Sequence, residues 1–125
     1  MKLFIIISAV ATLLLSNGDC KQKKNATTKY KGRLEIKALC MNYTISVIEG
    51  NIDPSLIEAK WTDETTHRSY ENVFGLGSRC TFPASIKEKD EFYFVIDSSA
   101  VQNCMVCMAF YPTPSKKLSI KVVDQ

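Results

Sequence analysis

From Arg33 onward the apolar residues of this chain recur at every second position in short runs, a period that suits β-strands and not amphipathic helices. Leu34, Ile36, Ala38 and Cys40 fall on one face of the first run, opposite Arg33, Glu35 and Lys37, which makes it a half-buried strand. Tyr43, Ile45 and Val47 continue the alternation against Asn42, Thr44 and Ser46, placing Asn42 on the wet face. Glu49-Gly50-Asn51 and Asp53-Pro54 are turn chemistry, and Ile57, Ala59 and Trp61 then alternate with Glu58, Lys60 and Thr62. The polar stretch from Thr62 to Ser69 is a loop or hairpin end, followed by a short strand over Tyr70 to Phe74 and by the punctuating Gly75 and Gly77. A charged turn, Lys87-Glu88-Lys89-Asp90, leads into Phe92 to Ile96, both of whose faces read as buried. Cys104 to Tyr111 reads as a second apolar β segment stopped by Pro112 and Pro114. Leu118, Ile120 and Val122 alternate with Ser119 and Lys121 in a last strand. Six or seven short strands without a helix predict an all-β domain, either a small barrel or a sandwich.

The N-terminus reads as an export signal. Lys2 precedes an apolar stretch from Leu3 to Leu15 broken only by Ser8 and Thr12, and Ser16-Asn17-Gly18 supplies small residues before a cut ahead of Asp19. Residues 1–18 therefore read as a secretory signal, too short for a membrane span of about 20 apolar residues. No later run reaches that length, so the secreted product is expected to have no membrane span. About 107 residues remain, enough for one domain with a modest core that disulfides commonly reinforce. The candidates are Cys20, Cys40, Cys80, Cys104 and Cys107. Five is odd, so one thiol stays free or pairs with another molecule, as in a disulfide-linked homodimer, and the pairings stay open. The sequons at Asn25 and Asn42 are candidate glycosylation sites in the same compartment.

Lys21, Lys23, Lys24, Lys29, Lys31 and Arg33 crowd a polar stretch. Residues 19–32 read as a flexible basic arm ahead of a single β domain over 33–125. Such an arm is either a solvated tail or a site for a heparin-like anionic glycan. Nucleic acid is not an expected partner, since export and the lack of a base-reading element both argue against it.

Nothing in the sequence assembles a catalytic constellation. Cys104-Met105-Val106-Cys107 has the spacing of a thiol oxidoreductase, but in an extended segment those side chains point to opposite faces, so bridges to different partners are expected. His67 is the only histidine and no second Cys-x-x-Cys exists, so neither a metal nor another cofactor is expected. His67 reads as exposed and idle, and the adjacent Asp63 and Glu64 as ordinary solvated carboxylates. Gly75 and Gly77 lack the Lys and Ser/Thr of a phosphate loop and read as turn glycines. Trp61, Phe92, Phe94 and Phe110 read as core.

The segments Val73 to Cys80, Ile86 to Ile96, Ala109 to Pro112 and Lys116 to Leu118 together resemble the netrin-module type of domain. The likeness is to the cysteine-containing N-terminal region of some neuregulins, and more faintly to the N-terminal domain of agrin and to tissue inhibitors of metalloproteinases. It covers roughly half of the mature chain. The resemblance implies an OB-like five-stranded β-barrel stapled by disulfides, in secreted proteins that bind other proteins or matrix polysaccharides and do not catalyse. Metalloproteinase inhibitors of this class begin with Cys-x-Cys, whose first cysteine chelates the target's zinc. Here Cys20 follows Asp19 and precedes Lys21-Gln22, so that mechanism is not carried over. A second likeness, in Leu56 to Asp63, is to transthyretin-like secreted proteins of nematodes and implies a β-sandwich.

The expected product is thus a secreted, non-enzymatic protein that binds an extracellular protein or receptor, as a signalling or matrix-associated factor. The competing classes are a secreted thiol-disulfide oxidoreductase and a transthyretin-like ligand carrier.

Overall fold

The computed structural model describes residues 28–125. The signal segment 1–18 and the residues Cys20, Lys21, Lys23, Lys24 and Asn25 lie outside them. Seven strands form along the chain: β1 (Tyr30–Lys37), β2 (Tyr43–Glu49), β3 (Glu58–Thr62), β4 (Ser69–Leu76), β5 (Glu91–Ile96), β6 (Lys117–Leu118) and β7 (Ile120–Val123). Two short 3-10 turns, Leu39–Met41 and Pro54–Leu56, are the only helical pieces among the described residues, and no helix there is long and apolar enough to cross a membrane. Asp53 starts the second turn by accepting a hydrogen bond from the Ser55 amide, with Pro54 supplying a helix-compatible φ.

All seven strands belong to one sheet in the order β3-β4-β2-β1-β5-β7, where the sandwich alternative requires two. Every pairing is antiparallel except that of β6 with β4. The sheet is not closed as the expected barrel. Its last strand is split at Ser119, with Lys117–Leu118 lying parallel to β4 and Ile120–Val123 antiparallel to β5. One hydroxyl spans the gap: Ser78 donates to the Ile120 carbonyl at 2.9 Å and accepts from the Ile120 amide at 2.8 Å. Ser78 is fully buried, so these bonds have no water to replace them. Ser78→Ala is expected to cost about 1–3 kcal/mol in a denaturant titration, because it orphans a buried donor and a buried acceptor together.

One face of the sheet carries the core, built from Leu34, Ile45, Phe74, Leu76, Phe92, Phe94 and Ile120. Its aromatic rings form a chain: Phe74 to Phe94 at 5.7 Å, Phe94 to Phe92 at 6.1 Å, Phe92 to Phe82 at 5.5 Å and Phe82 to Tyr43 at 5.7 Å. Gly32 on β1 leaves room for Phe94, since a Cβ there would meet the ring at 3.0 Å and push it by a few tenths of an ångström. Phe92 and Phe94 are buried as expected, while Tyr93 and Val95 on the other face of β5 are only half-buried.

The outer face departs from the alternation in two ways. Strand β1 begins at Tyr30, so the last residues assigned to the flexible arm are part of the sheet. Glu35, expected in solvent, is buried beside a register shift between Leu34 and Ile36. Its carboxylate accepts from Ser46 at 2.8 Å and pairs with Lys89 at 2.9 Å and Arg33 at 3.5 Å. Burial alone would raise its pKa, but the Lys89 and Ser46 hydrogen bonds outweigh that and hold it below the ordinary value.

Candidate binding surface

Between β5 and β6 the chain runs without regular structure, and the expected β segment at Cys104 to Tyr111 does not form. Its apolar residues do not alternate with polar ones, so no face of an extended segment is marked for burial. Covalent and polar anchors fix it instead. Cys104 bonds to Cys80, just after β4, with Cα atoms 5.5 Å apart, and Cys107 bonds to Cys40, in the turn between β1 and β2, at 5.1 Å. The two cysteines of the Cys-x-x-Cys thus have different partners, as expected, although they lie in coil and not on a strand. The four described cysteines consume one another, which leaves Cys20 no described cysteine to pair with.

Asn42 clamps the same segment. Its Nδ2 donates to the carbonyls of Ala109 at 2.8 Å and Leu39 at 2.9 Å, and its Oδ1 accepts from Arg79 at 3.1 Å. The expectation of a wet-face sequon is overturned here, since Asn42 is only 6% exposed. A glycan on Nδ2 would displace one of its two donated hydrogens and so break a bond that holds Leu39 or Ala109. Asp63 also departs from expectation. It is fully buried and accepts the Tyr111 hydroxyl at 2.7 Å and the Thr65 amide at 2.8 Å. Further along, Ser115 donates its amide and hydroxyl to Glu58, and the Lys116 ammonium donates to the Ile57 carbonyl at 3.0 Å.

Burial pushes the Asp63 carboxyl up, but hydrogen bonds from Tyr111, Thr65 and Thr66 pull it further down, so it sits below its ordinary value. The Tyr111 hydroxyl is raised in turn by its bond to Asp63 and by burial. A carboxyl depressed in the folded state contributes stability above its unfolded pKa and loses it as pH falls through the folded value. Acidification below about pH 4, the ordinary carboxylate range, is therefore expected to raise protease cleavage within 105–112. Asp63→Asn should make that cleavage less dependent on pH than in the wild type.

So anchored, the segment presents apolar side chains to solvent: Met105 at 103% exposure, Met108 at 96% and Phe110 at 83%, with Val101 and Leu39 also exposed. Phe110 was expected in the core and lies outside it. Trp61 is only partly buried, stacked on Tyr70 at 6.1 Å along the β3–β4 hairpin. Several exposed large apolar groups on one bridged segment make it the candidate surface for recognition. The bridges have already removed much of the loop's freedom, so ordering it costs a partner little. Methionine adapts its shape to an irregular partner surface. In sequence the only signals for this surface are the non-alternating apolar run from Cys104 to Tyr111 and the prolines that follow it.

The basic candidates on β1 are engaged by carboxylates. Lys31 lies 3.3 Å from Glu91 and 3.9 Å from Glu49, and Arg33 lies 3.0 Å from Glu91. Lys29 donates to the Asp124 carbonyl at 3.0 Å. On β1 the basic residues therefore face a mixed-charge surface and not a continuous cationic patch. Among the described residues no three His, Cys, Asp or Glu side chains gather as a metal site, and His67 is exposed at the tip of the β3–β4 hairpin.

Fold and surface together define a class: a small, disulfide-pinned β domain that displays apolar side chains on an immobilised loop. No family model, curated protein or solved structure matches the chain.

Proposed function

We propose that the protein is a secreted, non-enzymatic binding factor whose disulfide-anchored loop docks an extracellular protein. The observation that carries this is the exposure of Met105, Met108 and Phe110 on a segment held by two bridges and by Asn42 and Asp63. The strand order supports the OB-like reading implied by the netrin-module resemblance: β1 lies between β2 and β5, and the final segment pairs in parallel with β4. The ion pairs on β1 favour a protein partner over a heparin-like glycan, because Glu91 and Glu35 offset the charge of Lys31 and Arg33. With the other four cysteines paired, Cys20 is available for a bridge to a second copy, and equal mobility on reducing and non-reducing gels would remove that part of the proposal.

The test is capture from the native extracellular fluid with the intact protein and with a Met105→Ser, Met108→Ser, Phe110→Ser variant of unchanged melting temperature. Partners retained by the first and lost by the second support the reading. Identical captures sink it.

A further inference from the structure

Beside the exposed loop lies a cleft lined by Asn42, Arg79, Met108, Phe110, Thr113 and Lys117, among other residues, and no carboxylate contributes to its walls. Arg79 and Lys117 are both cationic, and neither has an Asp or Glu oxygen within salt-bridge distance among the described residues. They contrast with Lys31, Arg33 and Lys89, each of which has a carboxylate partner. Asn42 fixes the guanidinium: both Nδ2 hydrogens are committed to carbonyls, so Oδ1 faces Arg79 and accepts from one of its terminal nitrogens. The other guanidinium donors make no side-chain hydrogen bond among the described residues. A planar fork of donors held in one orientation suits a carboxylate. Lys117 is exposed on β6 and adds a second positive charge to the same cleft. Phe110 and Met108 supply an apolar wall directly beside the two cations.

We infer that this cleft receives an acidic peptide segment of the partner, with an Asp or Glu carboxylate on Arg79 and Lys117 and a neighbouring apolar side chain on Phe110 and Met108. The inference rests on the loop-docking reading above and names the chemistry of what docks. A sulfated glycan would use the two cations but leave the apolar wall uncovered, and so fits less of the site. The cost of binding is lowered because the cleft is already assembled, with Cys107 bridged to Cys40 and Ala109 held by Asn42.

The experiment is a selection of phage-displayed random nonapeptides against the oxidised full-length secreted protein, followed by affinity measurement with the recovered peptides made synthetically. The recovered sequences are expected to place Asp or Glu within two residues of an aromatic or aliphatic side chain. Lys117→Gln, which replaces an ammonium that makes no hydrogen bond among the described residues by a neutral amide, should weaken them about tenfold or more, as loss of a charged hydrogen bond does. Arg79→Lys should weaken them less than Arg79→Gln, and binding should fall as salt is raised. Recovered peptides without acidic residues, or affinities untouched by Lys117→Gln, overturn the inference, as does a selection that yields no binder. Displacement of the peptides by a heparin dodecasaccharide whose own binding is lost in Lys117→Gln assigns the cleft to glycan instead. Failure of the parent reading looks different: peptides whose affinity survives Phe110→Ser do not use the loop at all.

Discussion

Replacing Cys40 and Cys107 together by serine is expected to lower stability by about 2–4 kcal/mol, read from denaturant titrations with Cys80–Cys104 intact. The bridge joins residues 67 apart in sequence. The second bridge shortens the closed loop, but loop entropy depends on the logarithm of length, so the chain-entropy value stays near 4 kcal/mol. Part of that is offset. Cys40 and Met41 sit at φ of 54° and 55°, two consecutive side chains in the left-handed region, at about 1–2 kcal/mol each. Freed of the bridge, the turn can leave that conformation, which lowers the net loss toward about 2 kcal/mol. The loop should suffer more than the sheet, with chymotryptic cleavage after Phe110 rising before global unfolding. Unchanged stability together with unchanged cleavage would show that Asn42 and Asp63 hold the segment without this bridge.

The second large effect separates two phenylalanines that look alike in sequence. Phe94→Ala should cost about 3–5 kcal/mol, because the ring is fully buried between Phe74, Phe92 and Tyr30 and the site cannot collapse around the void. Phe110→Ala should change stability by no more than about 0.5 kcal/mol, since an exposed ring loses little that water does not replace. Thermal melts of the two variants side by side check both. If Phe110→Ala destabilises as much as Phe94→Ala, the loop packs on the core and is not free to receive a partner.

Much of the sheet was legible because alternation is a local consequence of the pleat. The runs around Leu34, Ile45 and Ile120 lie in strands with those residues inward, and the hairpin end at Asp63 to Arg68 falls between β3 and β4. The polar positions in and just before β2 depart from the alternation for a physical reason. Asn42, Thr44 and Ser46 lie on the face opposite the core, yet all three are buried, and the Thr44 hydroxyl has no hydrogen-bond partner among the described residues. Alternation distinguishes the two faces of a strand. It does not say whether a segment some 65 residues later will be laid over the outer one. Here residues 109–114 do that, meeting Asn42 at Ala109, Asp63 at Tyr111 and Gly75 at Thr113 and Pro114.

By itself, then, the sequence determined an all-β chain with strands near their observed places, and cysteines that bridge away from their own Cys-x-x-Cys. The strands follow from nearest-neighbour geometry, the two-residue repeat of an extended backbone, whereas the cysteines bridge to different partners from a segment that is coil and not the expected strand. Only the tertiary structure decided the pairing of Cys40 with Cys107 and of Cys80 with Cys104, the split of the last strand at Ser119, and the burial of Asn42, Asp63 and Glu35. It likewise decided that Met105, Met108 and Phe110 face solvent on a fixed loop, because that depends on which distant groups hold the segment from beneath and leave its apolar side chains outside.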